Sequence, residues 1–185
     1  MTAGKFNGYL LRCSLVGALG GLLFGFDTAV ISGATHSLTQ TFTLTPFWLG
    51  MTVASALWGT VISALTAGVI GERLGARETL RITALAYVLS AIGCAFAWDL
   101  PSLIFFRFLG GLGIGGSSVL GPLYIAELAP AKWRGRLVGL FQINIVVGIL
   151  LAYFSNYLIG LAIQGSTEWR WQLGVSGIPA LLFLI

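Results

Sequence analysis

Five stretches of this chain are apolar for long enough to cross a lipid bilayer, and no other feature restricts its fold as tightly. A hydrocarbon core about 30 Å thick needs roughly 20 apolar residues at about 1.5 Å rise each. The windows run over about 9–32, 47–70, 82–98, 101–125 and 137–161. The third is short but uncharged, and the fourth contains one arginine. A sixth apolar stretch begins near 171 and is still running at 185. Backbone polar groups in lipid must be satisfied within the span, so helices are expected. No segment has the ten-residue polar/apolar alternation of a barrel strand.

Composition agrees. Hydrophobic residues make up 57% of the chain and charged residues 9%, against about 25% charged in a soluble domain. So few charges cannot cover a soluble surface. A soluble enzyme, a disordered chain and a nucleic-acid module are therefore excluded. Cys13 and Cys94 both lie in apolar stretches and are too few for a disulfide framework. Lys5 and Arg12 resemble the basic region of a signal peptide. The apolar run behind them is long, contains Asp27 and lacks a clear cleavage site, so the segment is retained as the first helix.

The net charge of +4 is read as a topology signal. Lys5, Arg12, Arg73, Arg77, Arg81, Lys132, Arg134 and Arg136 fall on one side of the membrane, and Arg170 alone on the other. That asymmetry predicts a cytoplasmic N-terminus. Among 26 glycines, Gly17, Gly21 and Gly25 fall four apart, as do Gly111 and Gly115. Small residues at this spacing let membrane helices approach closely. Gly111, Gly113 and Gly116 match a G-x-G-x-x-G pattern, but no strand precedes them, so dinucleotide binding is rejected.

Asp27 and Arg107 are the most informative residues. A lone charge inside a span costs on the order of 2.5–3.5 kcal/mol on insertion scales. With the first helix ending at Ser32 and the fourth starting at Pro101, both lie about 8–9 Å below the outer surface. Two readings follow: a fixed ion pair joining two helices, or a titratable carboxylate that exchanges its proton against the arginine's charge. Neighbouring charge and loss of water act on such a carboxylate in opposite senses. A site with changing water access can therefore load and release a proton.

A second constellation lies at the basic surface. Glu72, Arg73 and Arg77 follow the second span, and Glu127 and Arg134 follow the fourth. Acids beside arginines at helix ends suit a latch of weak ion pairs, each worth about 0–1 kcal/mol. In the fifth span, Gln142 and Asn144 either bond a neighbouring helix or face a pore. Trp58 and Asn156 are further candidates, and His36 is read as a solvated loop residue. No metal-ligand spacing or nucleophile–base pair appears, so no cofactor and no enzyme activity are expected.

Several motifs together resemble the sugar porters of the major facilitator superfamily. The run from Gly17 through Asp27 to Gly33 resembles their first helix, and Gly68 to Arg77 resembles G-x-x-x-D-R-x-G-R-R. Arg107-Phe-Leu-Gly-Gly resembles the fourth helix. Pro122 to Pro130 resembles P-x-Y-x-x-E-x-x-P and is followed by Arg134-Gly-Arg, and Glu168-Trp-Arg-Trp171 resembles the entry to helix 6.

The resemblance implies an all-α integral membrane bundle: five complete transmembrane helices plus a truncated sixth, with the C-terminal half absent. It implies transport of a sugar or polyol by proton symport with alternating access. The partners would be a small polyhydroxylated solute, the lipid bilayer of an inner or plasma membrane, and the missing half, which in the family supplies most sugar contacts. Asp27 and Arg107 match the proton-coupling pair. Phe24, Gln142 and Ile145 match substrate-binding positions, and Glu72, Arg73, Arg77, Glu127 and Arg134 match the cytoplasmic gate network. Glu72 replaces the usual aspartate, Ala76 replaces an arginine, and Ile149 stands where some members have a second glutamine. A proton-independent facilitator, a transporter-derived sensor and a stand-alone helical subunit are the alternatives.

Overall fold

The computed structural model describes residues 8–163, 165 and 167–184, with side chains from residue 14 onward. Lys5, the side chains of Arg12 and Cys13, and Ile185 lie outside the described residues. Seven helices follow one another: α1 (Gly8–Phe42), α2 (Pro46–Leu74), α3 (Ala76–Ala95), α4 (Leu100–Leu128), α5 (Ala131–Ala162), α6 (Glu168–Val175) and α7 (Gly177–Leu184). No strand occurs among the described residues. The first five are long and apolar enough to cross a membrane.

Helix α1 runs ten residues past the predicted end. The polar segment after Ser32 looks like a loop because serine and threonine compete for backbone bonds. Here their hydroxyls bond back into the helix. Ser32 donates to the Ala29 carbonyl at 2.6 Å, Thr35 to Ser32 at 2.9 Å and Thr39 to Thr35 at 2.8 Å. Ala34 and Leu38 are fully buried on the other face, in one apolar cluster with Leu103 and Trp169. Packing therefore decides the outcome. His36 is thus helical rather than in a loop, exposed, and 3.0 Å from Gln40 Nε2.

Thr43, at φ 48°, turns the chain out of α1. Thr45 then caps α2, accepting from the Trp48 amide at 3.4 Å, with Pro46 in the first turn. Only Gly75, at φ 86°, separates α2 from α3. Glycine takes that left-handed conformation without a Cβ penalty. Hence α3 starts six residues before the predicted 82, and most of the expected arginine-bearing loop is helical. Helix α4 opens on a reciprocal cap: the Ser102 amide donates to Asp99 Oδ1 at 2.9 Å, and the Asp99 amide to Ser102 Oγ at 3.3 Å. Helix α5 likewise begins at Ala131 rather than 137, directly after Pro130.

The sixth predicted span, 171–185, falls over its described residues on two short helices that meet at Ser176. Pro179 lacks the amide hydrogen that would return to the Val175 carbonyl, and α6 ends at that residue.

Helix α4 lies centrally, packed against α2, α3 and α1, while α5 packs along α1. Close crossings depend on glycine. A Cβ at Gly21 or Gly25 would collide with the Phe141 or Ile145 carbonyl of α5. One at Gly111 or Gly115 would collide with the Ala56 or Thr60 carbonyl of α2. Gly17, the third member of the α1 series, instead faces Ile125 and Gly121 of α4. In the G-x-G-x-x-G run, Gly113 and Gly116 lie against Thr83 of α3, so that pattern serves helix crossing.

Candidate functional site: a buried ion pair beside a small cavity

Asp27 sits on α1 among inward residues and is itself partly buried: Phe26 and Ala29 are buried, and Gly25 is covered by α5. Arg107 lies two turns into α4. Its Nη2 donates to Asp27 Oδ2 at 3.4 Å, with the arginine side chain 4% exposed and the aspartate 16%. The predicted depth match rested on α1 ending at Ser32. With the helix ending at Phe42, Asp27 is about 22 Å from its end and Arg107 about 10 Å from the start of α4. The two meet because α1 projects beyond the α3–α4 turn.

A third group completes the site. Tyr87, from α3, is buried and donates its phenol hydrogen to Asp27 Oδ1 at 3.3 Å. The carboxylate is thus held on one oxygen by α4 and on the other by α3. Sequence reasoning missed this residue. Its signal was a lone phenol in an otherwise apolar span, a group that normally finds a polar partner when buried. Nearby, Ser90 Oγ donates to the Phe106 carbonyl at 2.6 Å and ties α3 to α4 one residue before the arginine.

A cavity of about 130 Å³ opens beside the pair. Phe24, Asp27, Thr28, Val53, Thr60 and Arg107 are among its walls. Small-molecule sites usually measure about 300–1,000 Å³, so this space suits a few waters rather than a whole solute. The Nε of Arg107 is buried with no protein partner, so the guanidinium keeps a donor unused. A larger apolar groove of about 680 Å³ lies between α2 and α4, lined by Trp48, Met51, Trp58, Pro101, Phe105 and Phe108.

Of the other predicted site residues, Phe24 joins the ion pair at the cavity. Ile145 does not line it. Its carbonyl and side chain pack on Gly25 and Gly21 at the α1–α5 crossing. Gln142, on the same helix, is exposed. Asn144 bonds its own helix, donating to the Leu140 carbonyl at 2.9 Å, whereas Asn156 reaches across to the Val30 carbonyl at 3.1 Å. Glu72, Arg73, Arg77, Glu127 and Arg134 all come to the arginine-rich end of the bundle and all are exposed. Among the described residues no ion pair joins these five. The ion pair formed at that end is Arg81 to Glu78, at 2.7 Å and exposed.

Long apolar helices enclosing a charged pair define a multi-pass membrane protein with a polar site in its interior. The sugar (and other) transporter family matches residues 13–185, and the chain belongs to that family. Similar relatives include a glucose transport protein of Synechocystis, 43% identical over 95% of this chain and 39% of its own length. The arabinose-proton symporter of Bacillus subtilis is 39% identical over 100% of this chain and 41% of its own. Among solved structures, a partially occluded inward-open form of the xylose transporter XylE from E. coli superposes with a TM-score of 0.90 at 38% identity, over 96% of this chain and 49% of that one. The chain thus spans about two fifths of the length of the curated relatives it matches.

Proposed function

We propose that this chain forms the N-terminal half of a proton-coupled sugar symporter, with Asp27 as the group that takes up and releases the proton. The observation that carries this reading is the pair of buried Arg107 and part-buried Asp27 beside a cavity sized for water. A fixed structural pair has no need of a water-sized space at its side. A carboxylate that must exchange a proton does.

Protonation removes the charge that Arg107 attracts. The α1–α4 contact then weakens, which lets this bundle rock against a second one across a solute held between them. The cavity is too small for a sugar by itself, which fits a solute site shared with a further half. Names of the relatives point to the solute class: an arabinose-proton symporter and a glucose transport protein stand among them. Phe24, half-buried at the cavity, would lie under the sugar. Gln142, exposed, offers an amide to its hydroxyls, with Ile145 one turn further along. A sugar or a related polyol meets these demands.

The basic end would face the cytoplasm of an inner or plasma membrane. Glu72, Arg73, Arg77, Glu127 and Arg134 would pair there when the protein faces outward and separate when it opens inward.

The test is transport by the full-length protein in proteoliposomes with an imposed pH gradient. Wild type is expected to accumulate sugar against its gradient, and Asp27→Asn to lose accumulation while retaining sugar counterflow. Accumulation that survives in Asp27→Asn overturns the assignment of Asp27. Uptake without proton flux in wild type makes the protein a facilitator.

A further inference from the structure

We propose that Tyr87 is a positioning residue for proton exchange at Asp27: its phenol holds one oxygen of the carboxylate in place and so shapes the pH dependence with which the protein carries sugar. This inference rests on the symport reading above and deepens it.

The geometry is specific. Asp27 has two oxygens, and each is held by a different helix: Oδ2 by Arg107 of α4 at 3.4 Å, and Oδ1 by Tyr87 of α3 at 3.3 Å. Tyr87 is 2% exposed, so water does not readily stand in for its hydroxyl. Its other polar neighbour is Ser176, at the break between α6 and α7. Through this one phenol, the carboxylate on α1 is connected to α3 and to that break.

The ionisable groups around Asp27 are few. Arg107 faces it from α4 and Tyr87 from α3, with the buried Cys94 thiol of α3 within reach of its charge. From α2 the cavity receives Thr60, and among the described residues no ionisable side chain of α2, α5, α6 or α7 lines it. Two hydrogen bonds thus govern the carboxylate. A donor aimed at a carboxylate favours its charged form, because the bond to the anion is stronger than the bond to the neutral acid. Arginine provides attraction that lasts through the whole physiological pH range. The phenol is a neutral donor, able to tune the balance without fixing it.

Replacing Tyr87 with phenylalanine removes the O–H and keeps both the ring edge that lies by Gly110 and the Cβ that lies by Gly113. Uptake by a symporter falls on the alkaline side, where its carboxylate no longer accepts a proton. In Tyr87→Phe that alkaline limb is expected to move to higher pH by about one to two units, from the loss of one bond to a charged acceptor. Incorporating 3-fluorotyrosine at position 87 preserves the shape and makes the hydroxyl a stronger donor. The limb is then expected to move to lower pH.

The experiment measures initial rates of pH-driven uptake from about pH 3 to pH 9 in proteoliposomes, a range that contains the ordinary carboxylate and histidine values. Wild type, Tyr87→Phe and the fluorotyrosine protein are compared. Opposite displacements of the two variants support the proposal. Superimposable profiles in a proton-coupled wild type overturn it and leave the symport reading intact. A wild type whose uptake ignores pH overturns the symport reading itself and this inference with it. Should Tyr87→Phe fail to fold, the isosteric fluorotyrosine protein decides alone: no acid displacement overturns the proposal.

Discussion

Asp27 on α1 and Arg107 on α4 meet at 3.4 Å although they lie at very different distances from the ends of their helices. Both are largely withdrawn from solvent. Removing one partner leaves an uncompensated buried charge, whereas removing both leaves none. Arg107→Ala is therefore expected to destabilise the bundle by about 3 kcal/mol. Asp27→Ala combined with Arg107→Ala should cost less than the sum of the single changes. Melting in detergent over this double-mutant cycle measures the coupling. Additive losses would mean the two side chains do not interact in the folded protein.

The glycine crossings give a contrast within one residue type. Gly25 is covered by the Ile145 carbonyl, and the backbone there cannot yield as a flexible side chain would. Gly25→Val is expected to push α1 from α5 and lower the melting temperature by several degrees, as overpacking of about 1–3 kcal/mol implies. Gly68 is also helical, but a Cβ there meets nothing within 4 Å. Gly68→Ala is expected to be neutral or to stabilise by up to about 1 kcal/mol. Thermal melting of the two variants side by side checks the difference.

Residues 33–42 show where sequence legibility ends. Apolar length made the five spanning helices visible, and two charges out of place marked the ion pair. Hydropathy could not see the tail of α1, because its serines and threonines look like loop and its two fully buried apolar residues, Ala34 and Leu38, are too few to register a period. Its order comes from Leu38 entering one buried cluster with Leu103 and Trp169, and from the Phe42 ring lying 5.6 Å from that of Trp169, partners far apart along the chain. Tyr87 was hidden for a related reason. A phenol fits an apolar span on hydropathy alone, and only the fold brings it to a carboxylate 60 residues away.

This segment yields its own test. Were 33–42 a loop, truncating Leu38 would cost almost nothing. In the structure Leu38 is fully buried, so Leu38→Ala is expected to destabilise by about 2–5 kcal/mol. Hydrogen exchange offers an independent measure. Amides of 34–40 should be protected in wild type and exchange faster in the variant. Equal exchange in both proteins would place this stretch outside the packed bundle.

Asp99 supplies a pH-dependent prediction outside the membrane spans. Hydrogen bonds from the Ser102 side chain and amide hold its carboxyl below the usual range. A carboxyl with a lowered folded value contributes stability above its unfolded value of about 3.9 and loses it as pH falls through the folded value. Asp99→Asn keeps an acceptor for the cap but removes the charge. The melting temperature of wild type should exceed that of Asp99→Asn near neutrality, and the gap should close as the pH is taken below the carboxylate range. A gap that stays constant with pH would mean the cap acts through shape alone, without its ionised oxygen.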